Sequence, residues 1–221
     1  MIEHGAKRTL ERMFSETFLR WSGPATMVGG LLWIVAAVVS ALKPEGCVGA
    51  ECFRPGRSMR PSGTADAVLL IAAVLLIGLG AVAVAHVIRG GRFGRLARVG
   101  LFSSALGLVS IASGLLVQAL FFGGDFPYMP LAVIPGALAV VIGLLLLGIA
   151  MAGSGVLSRW VGLLLIFGTL ALLGFNDQNA QVLLAIPFGV AWSGVGYAVW
   201  SAPAGQRLTW SVDGDGVTSG G

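Results

Sequence analysis

The only two cysteines of this 221-residue chain, Cys47 and Cys52, stand in the stretch GCVGAEC at 46–52. Two thiols at that spacing suit either of two chemistries. One is a small disulfide ring within a loop, whose tight path Gly46 and Gly49 would ease. The other is thiol exchange, which needs a thiolate of lowered pKa, commonly in a C-x-x-C arrangement, and a route for the electrons. Here the spacing is C-x-x-x-x-C, no second pair exists, and Glu45 and Glu51 disfavour a thiolate, so the structural disulfide is the expectation. With no histidine in the segment, the pair cannot complete a four-ligand zinc site, and no metal or other cofactor is expected.

The remaining polar candidates are few. Asp66, Asp125, Asn176, Asp177 and Asn179 fall in or beside turns between apolar stretches and could form a polar rim that attracts cations. Helix capping is the plainer account of the same residues, since Asp and Asn suit N-caps and the helix dipole. RPGRSMRP at 54–61 sets Arg54, Arg57 and Arg60 three apart, as a solvated loop or as a site for anionic headgroups. His86 and Gln118 are polar side chains inside apolar runs, better suited to contacts between helices than to a proton path. The sequence VDGDG at 212–216 lacks the later acidic residue of a calcium loop. Phosphate-loop, serine-hydrolase and zinc-protease motifs are missing, so no catalytic residue and no enzyme is expected.

The elements that must position these residues are set by composition. At 56 % hydrophobic and 11 % charged residues, the chain is too apolar to fold in water. Six uncharged stretches, at 24–42, 67–88, 99–122, 131–152, 160–175 and 182–200, come near or exceed the roughly 20 residues a helix needs to cross a bilayer. They are continuous rather than alternating, so backbone satisfaction in lipid calls for helices, not a barrel. The expected fold is an all-α integral membrane bundle of six transmembrane helices. It spans 23–201, with an outer loop at 43–66 and a flexible cytoplasmic tail at 202–221.

Ten of the 14 basic residues fall at the N-terminus, in the second-to-third and fourth-to-fifth connections and in the tail, and the other four lie in the 43–66 loop. The positive-inside bias puts both termini in the cytoplasm and the cysteine loop outside, in an oxidising compartment of a cytoplasmic membrane. The basic balance thus reports topology, and no nucleic-acid partner is expected. A basic start, an apolar run and Val39-Ser40-Ala41 also resemble a cleavable signal, although the run is long for one. Ahead of the first span, Leu10, Met13, Phe14, Thr17, Phe18 and Trp21 share one helical face, opposite Lys7, Arg8, Glu11, Arg12 and Glu16. Residues 1–22 therefore read as an amphipathic helix on the cytoplasmic leaflet.

LRWSG at 19–23, SRWVG at 158–162 and the looser LARVG at 96–100 each precede an odd-numbered span, which suggests three tandem helical hairpins in parallel orientation. Gly100, Ser103, Gly107, Ser110 and Gly114 strip one face of the third span, and Ala185, Gly189 and Ser193 do the same on the sixth. Such faces let helices approach closely in lipid. With packing faces plentiful and catalytic groups scarce, the leading expectation is a structural or complex-forming subunit. Its partners would be the bilayer and a second membrane protein or copy of itself. A small transporter or lipophile-binding protein is the alternative, which a cavity between helices would favour, and a thiol-disulfide oxidoreductase comes last.

Overall fold

A computed structural model describes residues 2–47, 52, 54–56, 60, 64–121 and 129–202, with side chains from Thr17 onward except at 118, 119, 129 and 130. The described chain is all-helical, with six α-helices: α1 (Ile2–Ala41), α2 (Thr64–Val87), α3 (Gly91–Phe121), α4 (Met129–Ser154), α5 (Arg159–Ala171) and α6 (Ala185–Ser201). Five are long and apolar enough to cross a membrane. The fifth predicted span is shorter: α5 has 13 residues and continues as the 3-10 turn Leu172–Gly174. At 1.5 Å per α-helical and 2.0 Å per 3-10 residue that is roughly 25 Å, a little under the hydrocarbon thickness. A second 3-10 turn, Ala180–Leu184, leads into α6.

Residues 1–22 and the first span form no separate units, because α1 is a single 40-residue helix running through Pro24. Proline removes one backbone donor there. The hydroxyls of the same turns bond back to neighbouring carbonyls: Ser22 Oγ donates to Leu19 O (3.0 Å) and Thr26 Oγ1 to Ser22 O (2.6 Å). The tail beyond Ala202 and Asp125 lie outside the described residues.

Two antiparallel glycine ladders organise the bundle. On α3 and α4, Gly100 faces Gly143 and Gly107 faces Gly136; a Cβ added to Gly100 would stand 2.6 Å from the Gly143 carbonyl oxygen. Between these rungs Ser103 Oγ donates to Ala139 O (2.9 Å), and beyond them Ser110 Oγ donates to Ala132 O (3.0 Å). On α1 and α6, Gly30 faces Gly189 and Gly23 faces Gly196, and a Cβ on Gly30 would lie 2.5 Å from the Gly189 oxygen. Ser193 Oγ approaches Met27 O there at 3.4 Å. In lipid, apolar side chains gain nothing by leaving their solvent, so close backbone packing and interhelical hydrogen bonds supply the attraction instead.

The three hairpins stand in tandem but are not packed equivalently. The α6–α1 pair shares a glycine ladder, whereas α2 and α3, joined by the short turn at 88–90, make few contacts. The main core gathers Val84, Ala97, Leu147, Met151, Leu165, Trp192 and Val195. Trp192 Nε1, wholly buried there, has no hydrogen-bond partner among the described residues. Farther along the α3–α4 hairpin the core ends. Among the described side chains past Ser104, only Gly107 and Gly114 of α3 are buried, and over 131–142 of α4 only Gly136, all of them small residues. This half of the hairpin packs on itself and projects as a two-helix arm.

Candidate functional site: a braced cap over a cavity

The polar residues gather where α1, α2 and α6 end beside the cysteines. Pro44, which has no backbone donor to extend a helix, follows the last α1 bonds, in which Leu42 N donates to Val38 O (3.1 Å) and Lys43 N to Ser40 O (3.2 Å). The Lys43 ammonium, just past the end of α1, pairs with the Asp66 carboxylate in the first turn of α2. Asp66 is only 8 % exposed. Its charge is favoured twice, by the ammonium and by the positive end of the helix dipole.

Cys47 and Cys52 are joined in a disulfide, with S–S 2.07 Å and Cα–Cα 5.1 Å, and Cys47 is buried. The loop that carries them is tied to the turn between α5 and α6. Gln178 acts as a double clamp: its backbone oxygen accepts from Gly46 N (2.8 Å) and its side-chain Oε1 from Arg60 N (2.7 Å). Gly46 has no room for a Cβ, which would strike the Gln178 side chain and the Arg60 backbone. The turn is itself pinned, since Asn176 Oδ1 accepts from Gln178 N (2.9 Å) and Asn179 Oδ1 from Gln181 N (2.8 Å). Asn179 thereby caps the 3-10 turn before α6.

Arg60 is the centre of this arrangement. Expected in a solvated loop, it is instead buried, 9 % exposed, with Nε donating to Pro44 O (3.1 Å) and Nη1 to Asp177 O (2.6 Å). Two backbone carbonyls draw the guanidinium inward between the two halves of the cap, while Arg54 remains exposed. Nothing in the three-residue spacing of Arg54, Arg57 and Arg60 marks the last of them. Its burial depends on the turn at 176–179, more than 110 residues away in sequence.

Beneath the cap lies a cavity of about 110 Å³. Its walls are Trp33, Ala36, Ala37 and Ser40 of α1, Leu70 of α2, Phe175, and Val182 and Ala185 at the start of the last span; Lys43, Arg60, Asp66 and Asp177 form its charged side. The space exists because Ala36, Ala37 and Ala185 are small. Ala185 was grouped by spacing with Gly189 and Ser193 as a packing face; Gly189 and Ser193 meet α1, and Ala185 borders the cavity. Trp33 is braced edge-on by Phe188 at 5.1 Å between ring centres. Of the expected polar rim, Asp66 and Asp177 line the cavity while Asn176 and Asn179 shape the turn beside it.

The other places where chemistry was sought are plainer. Among the described residues no three His, Cys, Asp or Glu side chains converge. His86 receives a hydrogen bond at Nδ1 from the Arg89 guanidinium one turn on, at the opposite end of the bundle. A groove of about 260 Å³ at that end, between α1 and α2, is bounded by Thr17, Phe18, Trp21, Ser22, Ala25 and Leu79, with no charged side chain among the described residues that line it. It is larger than the capped cavity, but its described lining offers only the hydroxyls of Thr17 and Ser22 as polar groups, and that of Ser22 is already bonded to Leu19 O. The capped cavity combines apolar walls with fixed polar groups, the usual make-up of a small-molecule site.

Comparison of the chain with protein-family models, with curated proteins and with solved structures gives no match.

Proposed function

We propose that this chain is a non-enzymatic, multi-pass protein of the cytoplasmic membrane that holds a lipophilic ligand beneath the cysteine cap, with both termini cytoplasmic and the cap on the outer face. The cavity under the cap carries this reading. It is walled mainly by apolar side chains of α1, α2 and the start of the last span, bordered by a loop that a disulfide and the Gln178 clamp hold in place, and rimmed by charge. A loop braced at this many points is suited to form the fixed wall of a site, since a preorganised wall need not be ordered when ligand arrives. The orientation rests on the basic residues, which crowd the end opposite the cysteines.

The test is to fill the cavity. Ala37→Leu, on the cavity wall, should remove a co-purifying lipid or added lipophile detected by native mass spectrometry of the full-length protein, while leaving the disulfide intact. Unchanged ligand occupancy in that variant would sink the proposal.

A second reading, a complex-forming subunit, is supported by the α3–α4 arm, which carries Leu106, Val109, Ile134 and Leu138 in exposed positions. The occupant proposed is a second copy of the chain, because the described side chains of the bare faces carry no charge, and Ser113 is the one exposed hydroxyl among them. A single oligomeric state in mild detergent that dissociates on Val109→Trp would support it, and a monomer at all concentrations would oppose it.

A further inference from the structure

We infer that the ligand under the cap is an anionic amphiphile, a carboxylate or phosphate head carrying an apolar chain, and that Arg60 is the residue that receives the head. This rests on the cavity being a ligand site, and it adds what chemistry the site selects. The observation behind it is an imbalance of charge. Four charged side chains line the cavity, and they are not equivalent. Lys43 and Asp66 neutralise one another. Asp177 borders the cavity at its exposed edge, and what it offers Arg60 is its backbone oxygen. Arg60 is left as a buried cation with no carboxylate within ion-pair distance among the described residues.

A guanidinium has five N–H donors, and the described protein acceptors take the one on Nε and one on Nη1, through two neutral carbonyls. Carbonyl dipoles soften the cost of burying the charge without cancelling it, and a planar fork with free donors is well matched to an oxyanion. The loop also fixes the position of that fork. Backbone N of Arg60 is held by Gln178, which at the same time holds Gly46 next to the disulfide. Holding a cation with no described carboxylate partner so firmly at a cavity wall is costly for the empty protein and favourable once an anion arrives.

The apolar part of the ligand follows from the rest of the wall. About 110 Å³ is close to the size of cavities that hold a single aromatic ring, enough for a head and a few carbons. Leu70 and Phe175 line the cavity and are also exposed on the surface of the bundle, so a longer chain has an apolar way out toward the bilayer beside α2. The source of such a molecule is either a free fatty acid or an anionic phospholipid of the surrounding leaflet, and both present the same chemistry to Arg60.

Radiolabelled dodecanoate binding to the full-length protein in a maltoside detergent tests the inference. Saturable binding is expected that unlabelled dodecanoate displaces at least tenfold more effectively than dodecanol, which has the same chain and no charge. Arg60→Gln should weaken binding at least tenfold, Arg54→Gln, in the exposed part of the same loop, should leave it unchanged, and Ala37→Leu should abolish it with Arg60 still in place. Displacement by phosphatidylglycerol but not by phosphatidylcholine would assign the site to a membrane lipid, and displacement by neither would assign it to the free acid. Equal competition by dodecanol and dodecanoate would overturn the anionic inference while keeping the cavity as a lipophile site. Binding that is absent, or indifferent to Ala37→Leu, would overturn both.

Discussion

Gly30→Ala is expected to destabilise the bundle, whereas Gly78→Ala, a chemically identical change, is not. At Gly30 the new methyl would stand 2.5 Å from both the Gly189 oxygen and the Ser193 Oγ and 2.7 Å from the Ser193 nitrogen. Two of these are backbone atoms of α6 and cannot rotate away. Restoring ordinary contact at about 3.5 Å moves α1 and α6 apart by about 1 Å, a gap that forfeits a quarter to a half of each dispersion well along the ladder. Overpacking of this kind costs about 1–3 kcal/mol, against which alanine recovers up to about 1 kcal/mol of helix propensity. The net expectation is a loss of about 1–2 kcal/mol. At Gly78 a methyl meets nothing within 4 Å, so the propensity gain stands alone and the variant should be as stable as the parent or slightly more so. Thermal unfolding of both in one detergent, with Gly189→Ala as the reciprocal change on α6, measures the difference. Equal midpoints for Gly30→Ala and Gly78→Ala would refute the idea that backbone contact between α1 and α6 holds the bundle.

Other consequences are open to measurement. Replacing both Cys47 and Cys52 by serine should lower stability by about 2 kcal/mol, the loop-closure value for so short a ring, and should loosen the cap so that proteolysis at 48–59 becomes faster. In intact cells a membrane-impermeant maleimide should label these cysteines only after reduction, whereas labelling that requires opened cells would invert the proposed orientation. Lys43→Met leaves the largely buried Asp66 carboxylate without its ammonium and should cost about 1–3 kcal/mol, between the values for exposed and buried pairs. A double-mutant cycle with Asp66→Asn would show no coupling if the pair contributes nothing. Gln178→Ala removes the acceptor for Arg60 N while keeping the backbone bond to Gly46, so it should weaken dodecanoate binding more than it lowers the melting midpoint, and the reverse ranking would make the clamp merely structural.

The helices and the glycine faces were legible because both depend on residue type and spacing alone. A run of apolar residues in lipid must satisfy its own backbone, and that condition fixes helices over all six predicted stretches, although α1 begins at Ile2 and α3 at Gly91, well ahead of the predicted 24 and 99. Gly100, Ser103, Gly107 and Ser110 lie on one face by helical periodicity, whatever they touch. Identifying the partner needed the fold: the spacing could not say that α3 uses this face on α4, or that Gly189 and Ser193 meet α1 rather than the neighbouring α5. The join of 1–22 to the first span was also hidden, because Pro24 reads as a boundary and the hydroxyl bonds of Ser22 and Thr26 show only in three dimensions.

Sequence by itself determined that the chain is an all-helical membrane bundle, that its helices meet through small residues, and that its two cysteines are near enough to pair. These follow from local rules, in which each residue's solvent and its near neighbours along the chain suffice. Tertiary structure alone decided which polar residues form a site. Arg60 differs from Arg54 because a turn far along the chain presents two acceptors to it, and the cavity exists because Ala36 and Ala37 of α1 and Ala185 of α6 face a common point. Long-range hydrogen bonds and the coincidence of small side chains on different helices leave no periodic trace in a sequence.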